Sequence, residues 1–139
     1  MAQSNATDPR ADKLALAEAA ISALRDDYSQ QLAADADELA AVWRSIDQEK
    51  PDPASMDRLF AISHDLKGQA GSFGYDLVTS IAASLCDLVR EDRMNPAKMS
   101  SVDKHVAVLA RVVEKGVTGT GGETGAKIVQ GLRGLIAAE

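Results

Sequence analysis

The chain has 139 residues, enough to bury one hydrophobic core and too few to hold a second catalytic domain beside it. Hydrophobic residues make up 45% and aromatic residues only 4%, a balance that suits packed helices better than a strand-rich sandwich or barrel. The net charge of -6 and a pI near 4.9 argue against clustered cations on a phosphate backbone, so nucleic acid is not an expected partner.

Cys86 is the only cysteine, which excludes an internal disulfide and a thiolate metal cluster. With Leu85 and Leu88 beside it, Cys86 is read as a small buried hydrophobe. The first residues are polar and lack the apolar run of a signal peptide, and no segment reaches the ~18 apolar residues of a membrane span. The expectation is a soluble cytoplasmic protein with a flexible tail over residues 1–11.

Leu14, Ala17, Ile21, Leu24 and Tyr28 recur at threes and fours, and Leu32, Ala36, Leu39, Trp43 and Ile46 continue the pattern. The polar run from Asp26 to Ser29 is read as the break between a short first helix and a longer second one. Asp52-Pro53 has the order of an N-cap and a first-turn proline, so a third helix is expected from about Ala54 to about Gly71. Phe73-Gly74-Tyr75 reads as a tight turn, followed by a helix with Leu77, Ile81, Leu85 and Leu88 that ends near Arg93. Asn95-Pro96 breaks the chain again.

Ser100 or Ser101 is the expected cap of the next helix, which carries Val102, Val106, Leu109 and Val113 and stops at Gly116. Five glycines fall between Gly116 and Gly125. They follow a helix, and neither the dinucleotide fingerprint nor the Lys-Ser/Thr ending of a phosphate loop is present, so a flexible connection is the reading. Ile128, Leu132, Leu135 and Ile136 mark a last helix, where Gly131 and Gly134 would permit close approach. The expected units are a bundle over 12–116, a Gly-rich loop over 117–125 and an accessory helix over 126–139.

Set out at about 100° per residue, Leu59, Ile62, Leu66, Ala70 and Phe73 share about 80° of one side of the third helix, and His64 lies opposite them. Lys67, Gly68 and Gly71 fall within about 60° of His64. A lone surface histidine is usually only solvated, and a lysine one turn away is ordinary. Two glycines beside it are not, since each costs a helix roughly 1 kcal/mol relative to alanine. Their use is to remove the side chains that would hold a docking partner away from His64. A solvated imidazole is mostly neutral at neutral pH and offers a nucleophilic nitrogen. Lys67 can supply positive charge to phosphoryl oxygens, and Phe60, one turn before His64, is either a core-edge residue or an aromatic anchor for a partner. His105 lies beside Val102, Val106 and Leu109 and is read as packing at the core boundary.

The segment His64-Asp65-Leu66-Lys67-Gly68-Gln69-Ala70-Gly71-Ser72-Phe73-Gly74 closely resembles the signature of histidine-containing phosphotransfer domains, with His64, Leu66, Lys67, Gly68 and Gly74 at the matching positions. The resemblance implies an all-α, antiparallel up-down four-helix bundle, here with additional N- and C-terminal helices. It implies that His64 accepts a phosphoryl group through Nε2 from a receiver-domain aspartate and passes it to another, with Lys67 assisting and Gly68 making room. It implies no kinase activity, no metal or cofactor on this chain, and magnesium on the partner receiver. A sensor-kinase dimerisation helix, whose motif has an acidic residue after the histidine and then a proline a few residues on, fits less well: Asp65 matches weakly, whereas Lys67-Gly68 and the missing proline do not. A chemotaxis-kinase phosphotransfer domain shares this fold, but the full kinase would need an ATP-binding domain for which this chain has no room, so only a fragment could be that. The expected partners are receiver domains of response regulators or hybrid kinases, met by a monomer. The alternative is an unphosphorylated helical adaptor that binds the same partners.

Overall fold

Three polar side chains start helices by accepting from backbone N–H groups that have no intrahelical partner. Asp8 accepts from Arg10 at 3.0 Å, Asp52 from Ser55 at 2.9 Å and Asn95 from Ala97 at 3.1 Å, each followed directly by a proline. In a computed structural model describing residues 8–92 and 94–138, the chain forms α1 (Pro9–Arg44), α2 (Pro53–Ala70), α3 (Asp76–Asp92), α4 (Met99–Glu114) and α5 (Gly122–Ala138). Short 3-10 turns occupy Gly71–Phe73 and Pro96–Lys98.

Helices α1 to α4 close into a ring, with α1 and α3 each packed on both α2 and α4. The core takes Leu32, Leu39 and Trp43 from α1, Met56, Leu59 and Leu66 from α2, Ile81, Leu85 and Leu88 from α3, and Val102 and Leu109 from α4. Each such leucine or isoleucine contributes about 1.5–3 kcal/mol by leaving water. The Trp43 indole Nε1 donates to Asp103 at 2.8 Å, tying α1 to α4.

The all-α expectation holds, with corrections in detail. The two N-terminal helices are one. No proline or glycine lies between Arg10 and Arg44, Asp26 and Asp27 point to solvent, and Ser29 Oγ donates back to the Asp26 carbonyl at 2.8 Å. Helix therefore covers residues 9–11 of the expected tail, while residues 1–7 lie outside the described ones. Ser100 and Ser101 do not cap α4; they lie inside it, behind the turn that Asn95 starts. Helix α4 ends at Glu114, and Gly116, at φ 66°, turns the chain as expected.

The glycine-rich segment is held, against the expectation of a flexible connection. Gly119 N donates to the Gly74 carbonyl at 2.6 Å, and Leu77 N donates to the Gly119 carbonyl at 2.8 Å, so the segment is stitched to the turn after α2. Its last residues are already helix, since α5 begins at Gly122. A Cβ on Gly125 would overlap the Thr120 carbonyl oxygen, whereas a Cβ on Gly131 or Gly134 would meet nothing within 4 Å. The latter two are thus not close-approach residues.

Helix α5 packs on α3 and α4. Arg133 Nη1 donates to Asp87 at 2.9 Å, and Lys98 Nζ donates to the Ile136 carbonyl at 3.0 Å. The hydrogen bond from Arg133 holds the Asp87 carboxyl below the usual carboxylate range, so its contribution is present above that range and fades on acidification through the lowered value. Gly131→Ala should raise stability by about 1 kcal/mol through helix propensity. Gly125→Ala should lower it by roughly 1–3 kcal/mol, because the Thr120 backbone must move. Thermal unfolding of the two variants checks the opposite signs.

Candidate functional site

Helix α2 is built so that burial on one side fixes what the other side shows. Met56, Leu59, Ile62, Leu66 and Ala70 are buried, as is Ser63, whose Oγ donates to the Leu59 carbonyl at 2.8 Å. His64, Lys67 and Gly68 consequently face solvent, and all three are exposed. The helix ends in a turn that needs glycine. Gly74 sits at φ 87°, its N–H donates to the Gly71 carbonyl at 3.2 Å, and Tyr75 N donates to the Ala70 carbonyl at 3.0 Å. This closure of the last carbonyls is the usual left-handed helix ending.

Around His64 the structure separates residues that the sequence grouped. A Cβ on Gly68 would meet nothing within 4 Å, so the position is open space one turn from the imidazole. A Cβ on Gly71 would come within 3.2 Å of Thr79 Oγ1 on α3. Gly71 therefore has a packing reason of its own, letting the end of α2 approach α3. Phe60 is half-buried against the core, and its ring centroid lies 5.9 Å from that of His64 with the planes tilted by 37°. It is a core-edge residue that also flanks the imidazole.

Lys67 stands near α3, where its charge acts to lower the pKa of Cys86; burial outweighs it and pushes the thiol up to about 11. Cys86 is a buried hydrophobe as read, with its thiolate suppressed. Beside the His64 face, Gln31, Asp35 and Glu38 of α1 and Arg58, Asp65 and Gln69 of α2 line a polar groove of about 260 Å³, bridged by an Arg58–Glu38 ion pair.

The second histidine is a contrast. His105 is fully buried, deeper than the boundary position read for it. Its Nδ1 lies 2.6 Å from the Ser101 carbonyl and its Nε2 lies 2.7 Å from Ser84 Oγ. A carbonyl only accepts, so Nδ1 donates, and Nε2 accepts from the Ser84 hydroxyl. Both nitrogens are used inside the protein. Of the two histidines, only His64 is exposed. Helix α5, packed on α3 and α4, leaves that face of α2 clear.

A family model described as Hpt domain matches residues 23–115. The chain belongs to the Hpt domain family. The match spans the four bundle helices from within α1 to the end of α4, with the first part of α1 and all of α5 outside it. A search of curated proteins found no match. Hpt domains carry phosphoryl groups in two-component signalling, have no kinase activity of their own in general, and interact with receiver domains. No helix among the described residues is long and apolar enough to cross a membrane.

Proposed function

We propose that this Hpt domain is a phosphorelay intermediate in which His64 takes a phosphoryl group from a receiver phosphoaspartate and passes it to another receiver aspartate. The observation that carries the reading is the exposure of His64 on a face cleared at Gly68, while the only other histidine has both ring nitrogens engaged in the core. In the transfer, His64 Nε2 attacks phosphorus, the new P–N bond forms, and the bond from phosphorus to the aspartyl oxygen breaks. The carboxylate leaves with the electron pair, and the imidazole keeps its proton on Nδ1. The reverse sequence loads the next receiver.

Such a transfer asks mainly for position and charge neutralisation. Lys67 supplies positive charge to the equatorial oxygens, and its exposure in the free protein leaves it able to meet them when a partner excludes water. The receiver brings the magnesium and the acidic pocket. The setting is the cytoplasm, where receivers and their kinases exchange phosphate.

Mixing the chain with a phosphorylated receiver and magnesium should move label onto the chain as an acid-labile, alkali-stable phosphoramidate. Lys67→Ala should slow this by roughly 10–100-fold, since the lysine acts on charge that develops in transfer. Tight receiver binding with no label on the chain would instead make it an adaptor.

A further inference from the structure

Among the described residues, nothing packs against the first half of α1. Every residue from Asp8 to Asp27 is exposed, and the segment from Pro9 extends about 28 Å beyond the point where Tyr28 enters the core. Yet one side of it carries an apolar stripe, which starts after Arg10, a residue at the same wheel angle as Tyr28. Leu14 is 60%, Ile21 50% and Leu24 57% exposed, and with Ala17 they fall within about 40° of Tyr28 on the helix wheel. Their spacing of three, four and three is that of a coiled-coil seam, with Leu14 and Ile21 as one register and Ala17 and Leu24 as the other.

We propose that this segment is the interface of an antiparallel homodimer, in which the exposed half of α1 packs along the same half of a second copy. Orientation follows from the bundle. The stripe continues into the buried face of α1, and Tyr28 stacks on Phe73 with ring centroids 4.3 Å apart. A parallel partner would run into the turn after α2. An antiparallel one ends there, with its own bundle beyond the start of α1.

The antiparallel register also matches side chains. Leu14 meets the partner's Leu24, and Ala17 meets the partner's Ile21, small against large. Lys13 and Asp27 lie on one edge of the stripe and face each other across the twofold, twice per dimer. Glu18, on the other edge, lies one residue from the twofold and faces its own copy, a like-charge contact that weakens the pair. Charge also decides against a lipid surface. Asp8, Asp12, Glu18, Asp26 and Asp27 outnumber Arg10, Lys13 and Arg25, the opposite of the cationic face that anionic membranes attract. The chain's own bundle cannot cover the stripe either, because α1 runs unbroken to Arg44.

Two heptads make a small interface against the ~800 Å² per partner of a standard one, so the dimer is concentration-dependent. The monomer expected from the sequence is then its dilute form. Sedimentation equilibrium of the full chain should show a monomer–dimer equilibrium. Ile21→Glu should weaken it roughly a hundredfold, with helicity retained, because two isoleucines lose their burial and two charges take their place. Glu18→Gln should tighten it, and Leu16→Glu, exposed and off the stripe, should leave it unchanged.

Under mild oxidation Ala20→Cys should cross-link between copies, since position 20 faces its own copy only when the helices are antiparallel. Leu14→Cys should not. A monomer up to millimolar concentration, a dimer indifferent to Ile21→Glu, or cross-linking at Leu14→Cys instead of Ala20→Cys would each overturn the proposal. None of these readings depends on whether His64 carries phosphate.

Discussion

His64→Gln is expected to abolish phosphoryl acceptance while leaving the fold intact. The side chain is exposed, the flanking Phe60 stays packed on the core without it, and glutamine is a good helix former. Stability should change by no more than about 0.5 kcal/mol. Chemistry should disappear because the glutamine amide nitrogen has its lone pair delocalised into the carbonyl and cannot form a phosphoramidate under these conditions. His105 cannot substitute, since Ser84 and Ser101 occupy its nitrogens in the core. Labelled receiver, a gel run at alkaline pH and a thermal melt together measure both halves. Label retained on the variant would move the site elsewhere.

Gly68→Leu should separate folding from function by moving them in opposite directions. The position is helical and a Cβ there meets nothing, so replacing glycine should stabilise the protein by up to about 1 kcal/mol. Helical side chains lean toward the N-terminus and over the preceding turn, which places the new one across His64. A receiver must bring its aspartyl phosphorus within bonding reach of Nε2, and a displacement of about 1 Å can cost 100-fold in rate. A higher melting temperature with transfer slowed at least about 100-fold is the expected pair of results. Unchanged transfer would mean that the partner does not approach across Gly68.

Much of the candidate site is legible in the sequence because it depends on one helix. The stripe from Leu59 to Ala70 fixes which way α2 turns, and Asp52-Pro53 marks where it starts. What is not legible depends on other elements. Gly71 and Gly68 look alike on a wheel, yet only Gly71 has Thr79 across from it. The Gly119 contacts to Gly74 and Leu77 are made by backbone groups, which leave no side-chain pattern to read.

Helix α1 shows the limit of periodicity. Leu14 to Leu24 and Leu32 to Trp43 give similar apolar stripes, but one lies in water and the other in the core. Periodicity reports that a face is apolar, not what covers it. Asp26 and Asp27 seemed to interrupt the helix because polar runs often mark breaks. On the exposed side of a helix with no glycine or proline in its interior they do not.

The central claim is that His64 is a reversible phosphoryl carrier, and ring nitrogen NMR of the ¹⁵N-histidine-labelled protein tests it most directly. His64 and His105 report separately, one from solvent and one from the core. Addition of a phosphorylated receiver should shift the His64 Nε2 resonance to that of a phosphoimidazole, leave His105 at its resonance, and reverse when unphosphorylated receiver is supplied. Loss of phosphate from the receiver with His64 unshifted, or a phosphoimidazole signal at His105, would contradict the account.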